Sequence, residues 1–375
     1  MSKQHINPFV CQGYIGSEYF CDRANETEKL LSSLYNGRNV TLISPRRLGK
    51  TGLIWHAFER IRAENRDAIC VYIDIFPTKS QSEMVRMLGE AILNASMSKG
   101  RQLGKRVLEA IGGLRPVLGF DPLTGLPSVS LSVDATQSQT TLLTLFDYMK
   151  RQRKEFFLAI DEFQQITEYP ETGTEALLRS HIQFTPNIHF VFSGSKQHLM
   201  SEMFAAPQRP FYQSTDIVNL PPLEEEEYYR FANRFFAARR GQLSRDVFHD
   251  LYASFEGYTW YIQSILNRWY EAYRKVDSLQ QLRTTVLSVV ASKAPQYEAL
   301  VQLLTDNQFT LLRAIASEGL VEQPLGRDFI GRYRLAGASS VKTALDMLTD
   351  KELVYRQPAG YTVYDRFMAL WLKRL

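Results

Sequence analysis

The chain has 375 residues, a length that suits two or three domains. Its 44 Lys and Arg against 40 Asp and Glu leave a net charge of +4, too even to signal a nucleic-acid partner by charge alone. A content of 45% hydrophobic and 12% aromatic residues excludes wholesale disorder.

No apolar run approaches the roughly 18 residues that span a bilayer. The start, MSKQHINPFVCQGY, lacks the long apolar stretch of a secretory signal, so a cytoplasmic protein without membrane association is expected. Cys11, Cys21 and Cys70 are odd in number and show no CxxC spacing, which suggests reduced, buried thiols. The six histidines form no HExxH-type metal pair, and there is no GxSxG elbow.

From residue 39 to about 220, short apolar segments alternate with amphipathic ones. Strands are predicted at 40–44, 69–75, 156–160, 188–193 and 216–220, and helices at 51–64, 81–97, 140–154 and 174–184. This alternation predicts an α/β fold with a parallel sheet covered on both faces. Strand 188–193 is expected to lie between strands 40–44 and 156–160. Residues 112–134, GGLRPVLGFDPLTGLPSVSLSVD, break the rhythm and read as an inserted β-hairpin with DPLTG at its turn. After Pro221 and Pro222 only helical periodicity remains, from 224 to about 305, and the four glutamates at 224–227 suit a first helical turn. The last seventy residues read as helices at 307–317, 326–333 and 339–351 and two strands at 353–357 and 361–364, which is a winged helix. The expected domains are a core at 1–222 with the hairpin insertion, an all-helical lid at 223–305 and a winged helix at 306–375.

The chemistry concentrates where the first sheet strand ends. VTLI runs into Ser44-Pro-Arg-Arg-Leu-Gly-Lys-Thr51, which fits the phosphate-loop pattern GxxxxGK[ST] except that Ser44 stands at the first glycine. In that pattern Gly49 lets the backbone curl around phosphates, Lys50 brings a mobile positive charge, and the Thr51 hydroxyl suits Mg²⁺ at a helix N-terminus. The nucleotide-binding stretch is taken as Ser44, Arg46, Arg47, Leu48, Gly49, Lys50, Thr51 and Gly52. Arg46 and Arg47 have the further readings of domain contacts or solvated loop residues. A second element, FFLAI followed by Asp161-Glu162, puts two carboxylates at a buried strand's end. Asp161 is assigned to Mg²⁺ and Glu162 to the attacking water, with Lys50 on the phosphate oxygens. Ser193 or Ser195, at the tip of the 188–193 strand, is placed to sense the γ-phosphate or that water; helix capping is the alternative.

These segments, with FxDRxxE at 20–26, VYIDIFPTKS, FVFSGSKQHLM, RPFYQSTDIVNLPPL, EGYTWYIQSIL and YTVYDRFMALWLKRL, resemble over nearly the whole chain the archaeal and bacterial P-loop ATPases of the AAA-like family, related to the signal-transduction ATPases with numerous domains. The resemblance implies an ATPase core, a helical lid and a C-terminal winged helix. It also implies that Asp22 and Arg23 lie near the adenine, that GYTWYIQ is the lid's adenine-facing element with Thr259 where proline is usual, and that Arg209 sits where relatives carry a phosphate-reaching arginine. Tyr72, Asp74 and Phe76 read as strand-end structural residues, with Asp74 also close enough in sequence pattern to approach a Mg²⁺ site.

Three functions compete. The first is a slow, Mg²⁺-dependent ATPase acting as a conformational switch, binding ATP and ADP and engaging a protein partner through its winged helix. The second is a DNA-binding regulator controlled by ATP, and the third a scaffold that binds nucleotide without hydrolysing it, which the intact Asp161-Glu162 pair argues against. DNA is weakly supported: residues 301–375 carry ten basic and eight acidic side chains, and the predicted recognition helix balances Lys342 and Lys351 against Asp346 and Asp350. The most basic stretch, 99–115, has five positive residues opposed only by Glu109 and reads as a solvated helix face.

Overall fold

Five segments between residues 40 and 219 assemble into one sheet, whose strands at 40–43, 156–161 and 188–194 are buried along their whole length. The computed structural model describes residues 7–97, 114–120, 127–133, 135–357 and 359–374. Its chain order begins α1 (Ala24–Tyr35), β1 (Val40–Ile43), α2 (Lys50–Glu64), β2 (Ile69–Asp74), α3 (Gln81–Met97), β3 (Leu114–Phe120) and β4 (Pro127–Val133). It continues with α4 (Ser138–Lys150), β5 (Phe156–Asp161), α5 (Thr174–Ile182), β6 (Ile188–Gly194), α6 (Gln197–Ala205) and β7 (Asp216–Asn219).

The sheet order is β2-β5-β6-β1-β7, and every neighbouring pair is parallel. As expected, β6 separates β1 from β5. Period-two alternation divides the side chains between two apolar layers. Val40 and Leu42 of β1, Phe157 and Ala159 of β5 and Val191 of β6 join Leu30, Leu34, Leu53 and Phe58 of α1 and α2. Ile43, Leu158, Phe190 and Phe192 join Leu88, Leu145 and Met200 of α3, α4 and α6 on the other face. Phe190 and Phe192 are fully buried, and each contributes about 1.5–3 kcal/mol by leaving water.

Strands β3 and β4 pair antiparallel, with Leu114 opposite Val133, as the inserted hairpin requires; its turn, and residues 99–113 of the basic stretch, lie outside the described residues. Helix α4 stops at Lys150, short of the expected 154, for a local reason. The Asn187 amide donates to the carbonyls of Met149, Gln152 and Lys154, holding the chain in the turn that feeds β5.

The chain divides into two compact units, one of Val10–Phe231 with Tyr258–Trp260, the other containing 232–257 and 261–374. The remaining elements are α7 (Glu225–Ala238), β8 (Gln242–Leu243), α8 (Arg245–Ser254), α9 (Thr259–Ala272), β9 (Lys275–Val276), α10 (Leu279–Val301), α11 (Asp306–Glu318), α12 (Arg327–Arg332), α13 (Ala338–Asp350), β10 (Val354–Gln357), β11 (Gly360–Val363) and α14 (Arg366–Leu372). Glu225, Glu226 and Glu227 do fill the first turn of α7. The 224–305 region is not helical alone: β8 and β9 pair in parallel, a two-residue ladder too short to leave any periodicity.

Helices α11 to α13 and the antiparallel β10–β11 hairpin form the winged helix, and Val321 bridges to Tyr361 at its edge. Helix α14 follows, capped by Asp365 accepting from the Phe367 and Met368 amides. In the same unit, the rings of Phe255, Tyr261 and Phe367 lie 5.1–5.4 Å apart. Cys11, Cys21 and Cys70 form no disulfide, and the last two are buried. Among the described residues, no helix is long and apolar enough to cross a membrane.

Candidate active site

The carboxyl ends of β1, β5 and β6 lie side by side, and the loop leaving β1 curls there into α2. Positive φ occurs at Arg47 (72°) and Gly49 (94°) and not at Ser44, so the loop needs glycine's freedom at Gly49 but tolerates a side chain at its first position. Ser44 is fully buried, and its hydroxyl donates to the Pro45 carbonyl. The Lys50 ammonium donates to the carbonyls of Ser44 (2.8 Å) and Pro45 (3.3 Å) within its own loop. Burial lowers its pKa, against the raising effect of the Glu162 and Asp161 charges. The first-turn amides of α2 have no intrahelical partners, as in any helix, and face the site with the positive end of the helix dipole.

Asp161, the last residue of β5, collects three donors. Its Oδ2 accepts the hydroxyls of Thr51 (3.0 Å) and Tyr72 (2.8 Å), and its Oδ1 accepts the Glu162 amide (3.0 Å). Register explains the meeting: Asp74 pairs with Asp161 at the ends of β2 and β5, setting Tyr72 one side-chain pitch behind. Asp74 has its pKa raised, first by burial and then by the charges of Asp161 and Glu162, with the Phe76 amide opposing. The Tyr72 phenol is raised too, by burial and then by Asp161, and stays protonated at neutral pH. Thr51 and Asp161 are hard oxygen donors of the kind Mg²⁺ takes alongside phosphate oxygens. Among the described residues, no group of three or more His, Cys, Asp or Glu is suited to a metal.

Glu162 leaves the strand in the left-handed region, with φ 54°, which turns its carboxylate towards the tip of β6. There its Oε2 accepts the Ser195 hydroxyl (2.7 Å) and the Gln164 amide (2.6 Å). The Arg46 guanidinium donates to Ser195 Oγ (3.3 Å), lies 4.0 Å from Glu162 Oε1, and covers the Phe76 ring. The unusual backbone is held from below by packing. Phe163 buries its ring against Phe192 (4.5 Å), Phe204 (5.8 Å) and Phe211 (5.4 Å), a cluster joining β5, β6 and α6.

Residues 295–374 match a family model described as a probable winged helix domain. No curated protein matches. A Walker-type ATPase of Pyrococcus abyssi superposes with a TM-score of 0.66 at 18% identity, over 98% of this chain and 100% of that one. The ORC2 protein of Aeropyrum pernix, solved as ADPNP–ADP complexes, gives 0.60 at 18% identity, over 98% and 96%. The ORC1 protein of the same organism, in complex with DNA, gives 0.51 at 14% identity, over 94% and 92%. The chain has the Walker-type ATPase fold, with a C-terminal winged helix.

Within this Walker-type core the remaining expected residues separate. Ser193 is fully buried with its hydroxyl unpartnered, so Ser195, the other serine considered at that strand tip, is the one on Glu162. Arg47 lies over the Trp260 ring at 4.4 Å and its carbonyl accepts the Trp260 amide, while the indole donates to Cys11. Leu48 is buried, its carbonyl accepting from Arg23, whose other nitrogen bonds Glu26. Gly52 lies against the Phe20 ring, which a Cβ would meet at 3.3 Å. Asp22 and Arg23 border a cavity of about 480 Å³ shared with Asn219, Pro221 and Leu223 beyond β7. Arg209 is engaged elsewhere, paired with Glu175 and with Glu202 at 3.5 Å. Thr259, at the proline position of the lid element, has its carbonyl bonded by Tyr228. Sequence alone missed Gln164 as a site neighbour, placed Trp260 only within the adenine-facing GYTWYIQ element, and treated Tyr72 as structural; a polar side chain at the half-buried position of β2 was the available signal for Tyr72.

Proposed function

We propose that this protein binds ATP with Mg²⁺ in its Walker-type core, hydrolyses it slowly, and uses the nucleotide state as a conformational switch. The observation that carries the reading is the 3.0 Å contact between the Thr51 hydroxyl and Asp161, with Glu162 following at the next position. The loop amides around Gly49 and the first turn of α2 suit the β- and γ-phosphates. Lys50, bonded here to loop carbonyls, has the reach and charge to exchange them for phosphate oxygens. Bound Mg²⁺ would supply positive charge against the negative β- and γ-phosphates. Thr51 and Asp161 are the residues to hold it. Glu162 is the group to orient water and accept its proton, and Arg46 brings positive charge to the same corner. The cavity beside Asp22 and Arg23 suits a nucleobase.

The surroundings of Glu162 support slow turnover. A carboxylate that already accepts from Ser195 and Gln164 and faces Arg46 gives up part of that set before it takes a proton from water. The test pairs equilibrium nucleotide binding with phosphate release. Lys50→Ala should abolish binding, whereas Glu162→Gln should retain binding and lose release. Equal, negligible release from the parent chain and Glu162→Gln would favour the scaffold instead.

A second reading, a DNA-binding regulator under ATP control, has one specific support: the winged-helix match at 295–374 in a chain sharing its fold with a protein solved on DNA. The charge balance of α13 favours a protein partner. Affinity for a DNA duplex that falls steeply with added salt would reverse that preference.

A further inference from the structure

Helix α2 presents Thr51 and Trp55, one turn apart, on the face that meets β2 and β5. Thr51 donates to Asp161, and the Trp55 ring packs against the Tyr72 ring with centroids 5.3 Å apart. Tyr72 thus packs on the indole, with its hydroxyl 2.8 Å from Asp161 Oδ2. Asp161 is 4% exposed, so its orientation is set by protein donors rather than by water. The donors differ in what else they can do. The Thr51 oxygen keeps lone pairs for a cation while its proton rests on the carboxylate, and the Glu162 amide is fixed by the backbone. The Tyr72 hydroxyl is the other side-chain donor to the carboxylate, and unlike Thr51 it is not assigned to the metal.

We propose that Tyr72 is a positioning residue for divalent-metal binding: its hydroxyl aims the Asp161 carboxylate, so metal affinity depends on it while nucleotide affinity does not. The inference rests on the assignment of Thr51 and Asp161 to the metal made above. Removing an outer hydrogen-bond partner of a metal-binding group typically weakens the metal about 10- to 100-fold.

The experiment uses the full chain with ADP and Mn²⁺ as the probe, reading free Mn²⁺ by electron paramagnetic resonance. Four proteins are compared: the parent, Tyr72→Phe, Asp161→Asn and the double variant. Tyr72→Phe keeps the ring that packs on Trp55, and its unfolding midpoint in EDTA checks the fold. The expected result is about tenfold weaker Mn²⁺ binding in Tyr72→Phe, with ADP affinity in EDTA unchanged. In the Asp161→Asn background the tyrosine substitution should have no further effect, because the carboxylate it aims is gone. Mn²⁺ affinity equal to the parent's in Tyr72→Phe overturns the proposal, and so does an equal loss in both backgrounds, which marks a merely structural role. Asp161→Asn with parental Mn²⁺ affinity would instead overturn the metal assignment itself.

Discussion

Trp260 sits on the phosphate loop as a clasp: its amide holds the Arg47 carbonyl while its ring receives the guanidinium. Cation–π contacts of this kind contribute about 0.5–2 kcal/mol. Trp260→Ala should therefore weaken nucleotide binding by several-fold, with Lys50 and Thr51 untouched, and titration of a labelled nucleotide will read it. Asp74 gives a test in pH. Its folded pKa is raised above the ordinary 3.8, so folding holds a proton that the unfolded chain releases. Stability is lost as pH climbs from 3.8 through the raised value, and stays lost above it. Asp74→Asn carries no such penalty; its melting midpoint should match the parent's in acid and exceed it near neutrality. The residue scale is also where the sequence was read unevenly. Lys50, Thr51, Asp161 and Glu162 stood out because their spacing follows strand ends, whereas the Tyr72 and Gln164 contacts depend on distances across strands and turns that no spacing encodes.

At the scale of elements, β6 shows how tightly the sheet's end is built. A Cβ on Gly194 would meet Gln164 Oε1 and Met200 Sδ at 2.4 Å. Gly194→Ala should cost about 1–3 kcal/mol by overpacking. It should also lower turnover, because Gln164 has to shift while it holds Glu162; calorimetry and phosphate release measure the two effects. The same strand explains why Ser195 and not Ser193 reaches Glu162. Ser193 still lies in the ladder, opposite Leu42, whereas Ser195 is past the strand and free to turn. The inner strands β1, β5 and β6 were legible because continuous apolar runs with two buried faces have few alternatives. The β8–β9 ladder was not, since two residues carry no period.

For the molecule as a whole, the proposed function makes nucleotide a stabilising ligand by mass action. ATP with Mg²⁺ at a hundred times its dissociation constant should add about 2.7 kcal/mol to the unfolding free energy. Chelating the metal should remove part of that gain, and Lys50→Ala should remove all of it; differential scanning fluorimetry reports both. The order of strands and helices, the phosphate loop with its acidic partner, and the winged helix were determined by the sequence itself. Periodicity, strand-end carboxylates and glycine positions are local properties that survive without coordinates. Which serine meets Glu162, that Arg209 pairs with Glu175, that Arg47 turns to an indole and that a phenol holds Asp161 were decided only by tertiary structure. Those contacts join residues 33 to 213 positions apart, and partners at such separations are chosen by strand register and side-chain packing rather than by neighbours along the chain.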